Sequence, residues 1–246
     1  MPPYAARWAF FLDIDGTLLD IAETPGAVEP GVRELVLIED LASAAGGALA
    51  LVSGRTLPSI DRLFTPLKLP AAGQHGFERR GADGRRRRHR FPAERLRPVA
   101  AELRAFTAAH QGVLLEDKGA SLALHYRQAP QLGAAAREAM REAAEPLADL
   151  VEIQAGKMVW ELKPAGADKG MAIAEFMAEA PFAGRVPVFL GDDVTDEQGF
   201  RVVAAAGGHA VKVGEGESVA RWRVPDPAAA RDWLRGWVRS TVESAA

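Results

Sequence analysis

Residues 8–17 read Trp8-Ala9-Phe10-Phe11-Leu12-Asp13-Ile14-Asp15-Gly16-Thr17. A short run that is apolar on both faces and rich in aromatics reads as a buried parallel strand. It closes on two carboxylates at i and i+2, followed by a glycine. Parallel α/β sheets bind ligands beyond the carboxyl ends of their strands, so Asp13 and Asp15 fall where such a sheet puts chemistry. Just past the strand end the chain turns, which lets the second carboxylate swing over a ligand held by the first. Taken alone, the same residues also fit a polar strand exit with an Asp-Gly turn.

The pattern repeats outward from this strand. Residues 31–45 carry Val32, Leu35, Val36 and Leu41 at helical spacing, and residues 48–52 form a second apolar strand stopped by Ser53-Gly54-Arg55. Residues 57–63 predict a helix, and residues 71–77 a third strand or its exit loop. From residue 81 the pattern changes. Gly81-Ala82-Asp83-Gly84 predicts a hairpin turn. Two strands within 113–126 meet at Asp117-Lys118-Gly119, a helix follows over 132–147, and a strand pair over 151–162 turns near Ala155-Gly156. The strand–helix alternation then resumes. It gives a helix at 169–179, a strand at 186–190, a helix at 196–205, a strand at 209–213, and a last helix at 228–242 with Trp233 and Trp237. The expected class is therefore α/β, a doubly wound parallel-sheet (Rossmann-like) core. Residues 1–80 and 163–246 build that core, and residues 81–162 form an inserted α+β cap, or lid.

Bulk properties exclude several functions. The 246-residue chain is 48% hydrophobic and 26% charged, as in ordinary globular proteins. Its formal net charge of -3 gives no global field toward nucleic acid. It has no cysteine, so any metal must be held by oxygen or imidazole ligands. The first seven residues are too short for a secretory signal, and no apolar run is long enough for a membrane span. The expectation is a cytoplasmic protein without nucleic-acid or membrane partners. The run Arg85-Arg86-Arg87-Arg88-His89-Arg90 has no interleaved aromatics and is expected along an exposed strand or hairpin.

Three further signals sit at strand ends. Ser53 is one, and alone it fits a helix N-cap. Lys169 opens a predicted helix, where the dipole disfavours a cation unless an anion is near; a solvated lysine is the plain alternative. The third is Gly191-Asp192-Asp193-Val194-Thr195-Asp196-Glu197, an acidic turn whose oxygen-only donors suit magnesium. Alone, it fits a turn with N-capping residues.

In this order the four motifs resemble the haloacid dehalogenase superfamily of phosphohydrolases. That resemblance implies Asp13 as nucleophile forming an aspartyl-phosphate, and Asp15 as general acid, then base. It implies Mg2+ held by Asp13, the backbone carbonyl of Asp15, and Asp192. Ser53 and Lys169 contact the phosphoryl group, and Asp193 and Asp196 lie behind the metal, with Asp196 also available to orient Lys169. A narrower resemblance is to trehalose-6-phosphate phosphatases. It rests on residues 11–19 with Ile21 and Pro25, on Gly73-Gln74-His75-Gly76-Phe77-Glu78, and on the 191–197 turn. In the insert it rests on Glu116-Asp117-Lys118-Gly119, His125-Tyr126-Arg127 and Gly156-Lys157-Met158-Val159-Trp160-Glu161. It implies sugar contacts from Glu116, Lys118, Arg127, Lys157 and Glu161, with Thr17, Arg55 and His75 also at the substrate and Glu78 helping to close the site. Lys163-Pro164 departs from the Arg-Pro frequent in that family. The implied activity is hydrolysis of trehalose 6-phosphate, the last step of trehalose biosynthesis, by a monomer working after a trehalose-6-phosphate synthase. Other sugar-phosphate phosphatases, a phosphomutase and a non-catalytic sugar-binding module are the alternatives.

Overall fold

The computed structural model describes all residues except Ala6, Glu23 and Ala246. The chain divides into two compact units, one of Met1–Arg88 with Asp168–Ala246, the other of His89–Ala167.

The first unit contains β1 (Trp8–Leu12), α1 (Val32–Ala44), β2 (Leu49–Val52), α2 (Leu57–Leu63), β3 (Ala71–Gly73), β4 (Glu78–Arg80) and β5 (Arg86–Arg88). The second contains α3 (Leu96–Ala109), β6 (Leu114–Asp117), β7 (Leu122–His125), α4 (Gly133–Ala144), β8 (Val151–Gly156) and β9 (Val159–Pro164). The chain then returns to the first unit with α5 (Lys169–Met177), β10 (Val186–Gly191), α6 (Glu197–Ala205), β11 (His209–Val213), β12 (Trp222–Val224) and α7 (Pro227–Ala245).

The first unit's sheet has the order β12-β11-β10-β1-β2-β3-β4-β5. β12 to β3 are parallel, while β4 and β5 add an antiparallel hairpin at one end. β1 lies inside the sheet and is buried at every residue. Its side chains alternate between two cores, as strand geometry requires. Trp8, Phe10 and Leu12 join α1, α2 and the Trp233–Trp237 face of α7. Ala9 and Phe11 join Ile173 and Phe176 of α5 and Phe200 and Val203 of α6. This two-sided burial is what a doubly wound sheet demands, and it explains why β1 carries no polar residue until Asp13.

Several expectations shift in register or extent. α1 buries Leu37, Ile38 and Leu41, whereas Val32 and Val36 point outward, so the helix is rotated from the expected face. The hairpin turn at 81–84 forms, but its strands extend the first unit's sheet rather than opening the insert. The arginine run covers the exposed β5 and the residues on either side of it. α3 and β12 were not anticipated.

In the second unit the antiparallel order is β6-β7-β9-β8. Leu122, Leu124 and Leu162 pack with Leu96, Val99 and Leu103 of α3 and Ala136 and Met140 of α4. Glu116, Ala123, Glu161 and Gln154 stand in register across all four strands, so they share one face of that sheet.

Candidate active site

Asp13 immediately follows β1, and its amide donates to the carbonyl of Leu190 in β10. Its carboxylate is buried beside Lys169, whose Nζ lies 2.8 Å from Asp13 Oδ1 and 2.6 Å from Asp196 Oδ1. Lys169 is the first residue of α5, and Asp168 caps that helix by accepting from the Met171 amide. The charge that looked misplaced at a helix start is thus answered by two buried carboxylates. Burial works against the Lys169 charge, but Asp13 and Asp196 hold its pKa well above the usual lysine value.

Asp196 organises the acidic turn. Its Oδ2 accepts the amides of Asp192 and Asp193, each at 2.9 Å. Asp193 caps the short turn that follows, accepting from the Val194 amide. Thr17 is buried between Asp13 and Asp192, its hydroxyl 3.3 Å from an oxygen of each. Gly16 makes that closeness possible. It has φ +83°, and a Cβ there would fall 2.1 Å from Asp192 Oδ2.

Among the described residues, Asp13, Asp192 and Asp196 each offer a carboxylate oxygen within 4.8 Å of the others. Burial pushes Asp13 well above the ordinary carboxylate range; Lys169 opposes this, while Asp196 and Asp192 push it further up. A divalent cation reverses such a balance, and an all-oxygen donor set fits magnesium. Of the three, Asp196 already spends both oxygens on Lys169 and on two amides, so its geometry suits orientation more than ligation. Asp13 and Asp192 belong to the expected metal set; the expected third donor, the Asp15 carbonyl, is a backbone atom of the same turn.

The Asp15 side chain is held by Arg55. Nε and one terminal nitrogen of the guanidinium lie 2.6 Å from the two carboxylate oxygens, a bidentate pair. Arg55 follows β2, where Ser53 is buried and its Oγ accepts the Arg55 amide at 3.2 Å. Gln74 and His75 both adopt positive φ, of 47° and 56°, an uncommon conformation for side-chain-bearing residues that concentrates at functional sites. This turn packs the His75 ring on Gly54, where a Cβ would meet Nε2 at 2.7 Å. Glu78 accepts from the Leu57 amide and so caps α2.

The second unit gathers its own cluster. Lys118 and Glu161 form a buried ion pair at 2.7 Å, and His125 Nε2 donates to Glu116 at 2.9 Å. Burial tends to raise Glu116, yet His125 and the Lys118 charge outweigh it and hold the carboxyl below its usual range. Arg127 donates to the Lys157 carbonyl, at the β8–β9 hairpin. Three expected sugar residues, Glu116, Lys118 and Glu161, therefore share one cluster on the sheet face. Arg127 and Lys157 pair with each other at the hairpin.

Two features escaped the sequence reading. His125 was quoted only as part of a motif, yet it is a direct partner of Glu116. Lys212 is buried in β11 and donates to the Asp192 carbonyl at 2.5 Å. A lysine inside His209-Ala210-Val211-Lys212-Val213, an otherwise apolar strand, was the available signal.

Residues 11–228 match the family model described as trehalose-phosphatase. The trehalose-6-phosphate phosphatase of Escherichia coli K12 is 43% identical over 236 residues, 95% of this chain and 87% of that one. A solved structure titled a trehalose-6-phosphate phosphatase related protein superimposes with a TM-score of 0.79 at 28% identity, covering 96% of this chain and 99% of that one. The C-terminal domain of a C. albicans trehalose-6-phosphate phosphatase shares the fold, with a TM-score of 0.86 at 23% identity over 95% of this chain and 93% of that one.

Proposed function

The chain belongs to the trehalose-phosphatase family, and we propose that it hydrolyses trehalose 6-phosphate to trehalose and inorganic phosphate through an aspartyl-phosphate on Asp13. The observation that carries this reading is the buried assembly of Asp13, Lys169, Asp192 and Asp196 at the strand ends, with Asp15 in a bidentate pair beside it.

Asp13 attacks phosphorus; a carboxylate–phosphorus bond forms as the bond to the sugar oxygen breaks. Asp15 exchanges its pairing with Arg55 for a proton as the phosphosugar binds, and gives that proton to the departing sugar oxygen. It then takes one from the water that attacks the same phosphorus, releasing phosphate and restoring Asp13. Ser53 and Lys169 bind phosphoryl oxygens, Thr17 aligns Asp13 with Asp192, and Arg55 orients Asp15, with His75 buttressing the Ser53-Gly54-Arg55 turn. Asp13, the Asp15 carbonyl and Asp192 would hold Mg2+, with Asp193 and Asp196 behind them. When bound, the ion neutralises phosphoryl oxygens and screens Asp13 from the anionic substrate.

Glu116, Lys118, Arg127, Lys157 and Glu161 read the sugar. A disaccharide presents many hydroxyls, and a cluster of alternating charged donors and acceptors hydrogen-bonds them strongly. On this reading the second unit, His89–Ala167, acts as the lid, and the enzyme works in the cytoplasm as a monomer on the product of a trehalose-6-phosphate synthase. Among the described residues no helix is long and apolar enough to cross a membrane.

The test is phosphate release from trehalose 6-phosphate, sucrose 6-phosphate and glucose 6-phosphate, with magnesium and then with EDTA. Metal-dependent release from trehalose 6-phosphate alone is the expected result. Equal release from all three would overturn the sugar assignment, and no release from any would overturn the chemistry.

A further inference from the structure

Lys212 has no place in the reaction above. It sits on β11, in register with Gly191 of β10, at 4% exposure. Its ammonium is 2.5 Å from the backbone carbonyl of Asp192. Among the described residues it makes no ion pair. A buried charge costs several kcal/mol unless its surroundings compensate, and one neutral carbonyl is modest compensation. An aliphatic residue would fit the apolar strand more cheaply, so the charge calls for another explanation.

The explanation lies in what the carbonyl belongs to. The Asp192 amide is held at 2.9 Å by Asp196, and the Asp192 carbonyl is held by Lys212. Both peptide groups flanking the Asp192 Cα are thus gripped by buried side chains of opposite charge. The carboxylate of Asp192 faces Asp13 and Thr17.

We infer that Lys212 is a positioning residue for the metal site, fixing the Asp192 backbone so that its carboxylate is aimed before the cation arrives. This rests on the reading of Asp192 as a magnesium ligand. Partners that orient a ligand typically change metal affinity 10–100-fold when removed.

A second buried lysine supplies a control. Lys163 also donates to a backbone carbonyl, that of Ala167, but it is ion-paired with Glu152 at 2.5 Å and lies in the other unit.

The experiment compares Lys212→Met, Lys163→Met and Asp192→Asn with the unmodified chain. One readout is the magnesium concentration giving half-maximal phosphate release. The second needs no turnover: the rise in Tm when magnesium is added to metal-free protein. Lys212→Met is expected to raise the half-saturating magnesium at least about 10-fold and to shrink the Tm increment. At saturating magnesium its KM for the phosphosugar stays within about 2-fold, since ligand aim, not sugar contact, is altered. Lys163→Met is expected to lower Tm with and without magnesium and to leave the increment intact. Asp192→Asn is expected to abolish both metal effects; if it kept them, the ligand assignment itself would be wrong, whatever Lys212 did. With Asp192→Asn impaired, a normal half-saturation and full increment in Lys212→Met would overturn the inference. Should that variant not fold, Lys212→Leu, which also removes the donor, is judged by the same two readouts.

Discussion

Replacing Lys118 with methionine separates sugar recognition from chemistry. Lys118 and Glu161 have side chains only 8% and 9% exposed and pair at 2.7 Å. A hydrogen bond from a charged donor to a substrate hydroxyl contributes about 1.5–3 kcal/mol. Its loss should therefore raise KM for trehalose 6-phosphate about 10- to 150-fold. Hydrolysis of a small aryl phosphate, which makes no sugar contact, should change little. The single variant carries a complication that the geometry itself predicts. Removing one partner of a buried ion pair leaves the other charge stranded, at about 3–5 kcal/mol. Glu161→Gln added to Lys118→Met removes the stranded charge and should recover much of that stability. The assay is steady-state phosphate release by the single and double variants on both substrates, beside urea unfolding curves. A double variant that folds well and keeps full kcat/KM on trehalose 6-phosphate would refute the role given to this pair.

Other outcomes follow from the same geometry. Gly16→Ala forces a methyl toward Asp192 Oδ2 at a positive φ, and a misalignment of that size should cut phosphate release at least about 100-fold while the far-UV circular dichroism stays unchanged. Lys169→Met leaves Asp13 and Asp196 uncompensated, so metal-free protein should lose about 3–5 kcal/mol in urea unfolding; an unshifted midpoint would contradict the arrangement. Asp61 is held below the usual carboxylate range chiefly by its hydrogen bond from Arg80, acting against burial. A lowered folded-state pKa contributes stability that is present above the unfolded value and lost as pH falls through the folded one. The stability gap between the parent and Asp61→Asn should be open at pH 7 and close below about pH 4.

The strands that frame the chemistry were legible because burial on both faces leaves an unmistakable apolar run. Trp8 to Leu12, Leu49 to Val52 and His209 to Val213 are all strands, and Asp13 and Ser53 directly follow the first two. α3 was missed although Leu96, Val99, Ala100 and Leu103 have helical spacing, because Pro98 and the flanking arginines masked it. Pro98 is tolerated near the helix start, where its missing N–H has no partner to lose. β12 is a three-residue strand at the end of the sheet order, paired with β11. The face of α1 was misjudged because spacing alone does not say which of two overlapping apolar stripes meets the sheet. Within the site, the carboxylates, Ser53 and Lys169 were read from their order along the chain. The contacts that hold them were not: Arg55 on Asp15, His75 on Gly54 and Lys212 on Asp192 span 40, 21 and 20 positions and depend on sheet order.

β5 has a consequence for how this protein behaves among its own copies. It is the last strand in the sheet order, and all three of its residues are exposed arginines. A terminal strand offers unpaired amides and carbonyls to any passing strand, the usual seed of edge-to-edge aggregation. Here an antiparallel approach by a second β5 would set guanidinium against guanidinium on every rung, and like charges directly opposite repel. Asp61 and Glu179 tether Arg86 and Arg87 from within the same unit, keeping those charges spread along the edge. The arginine run is thus a fence built into the backbone's most adhesive border, and Arg86→Val with Arg88→Val would take it down.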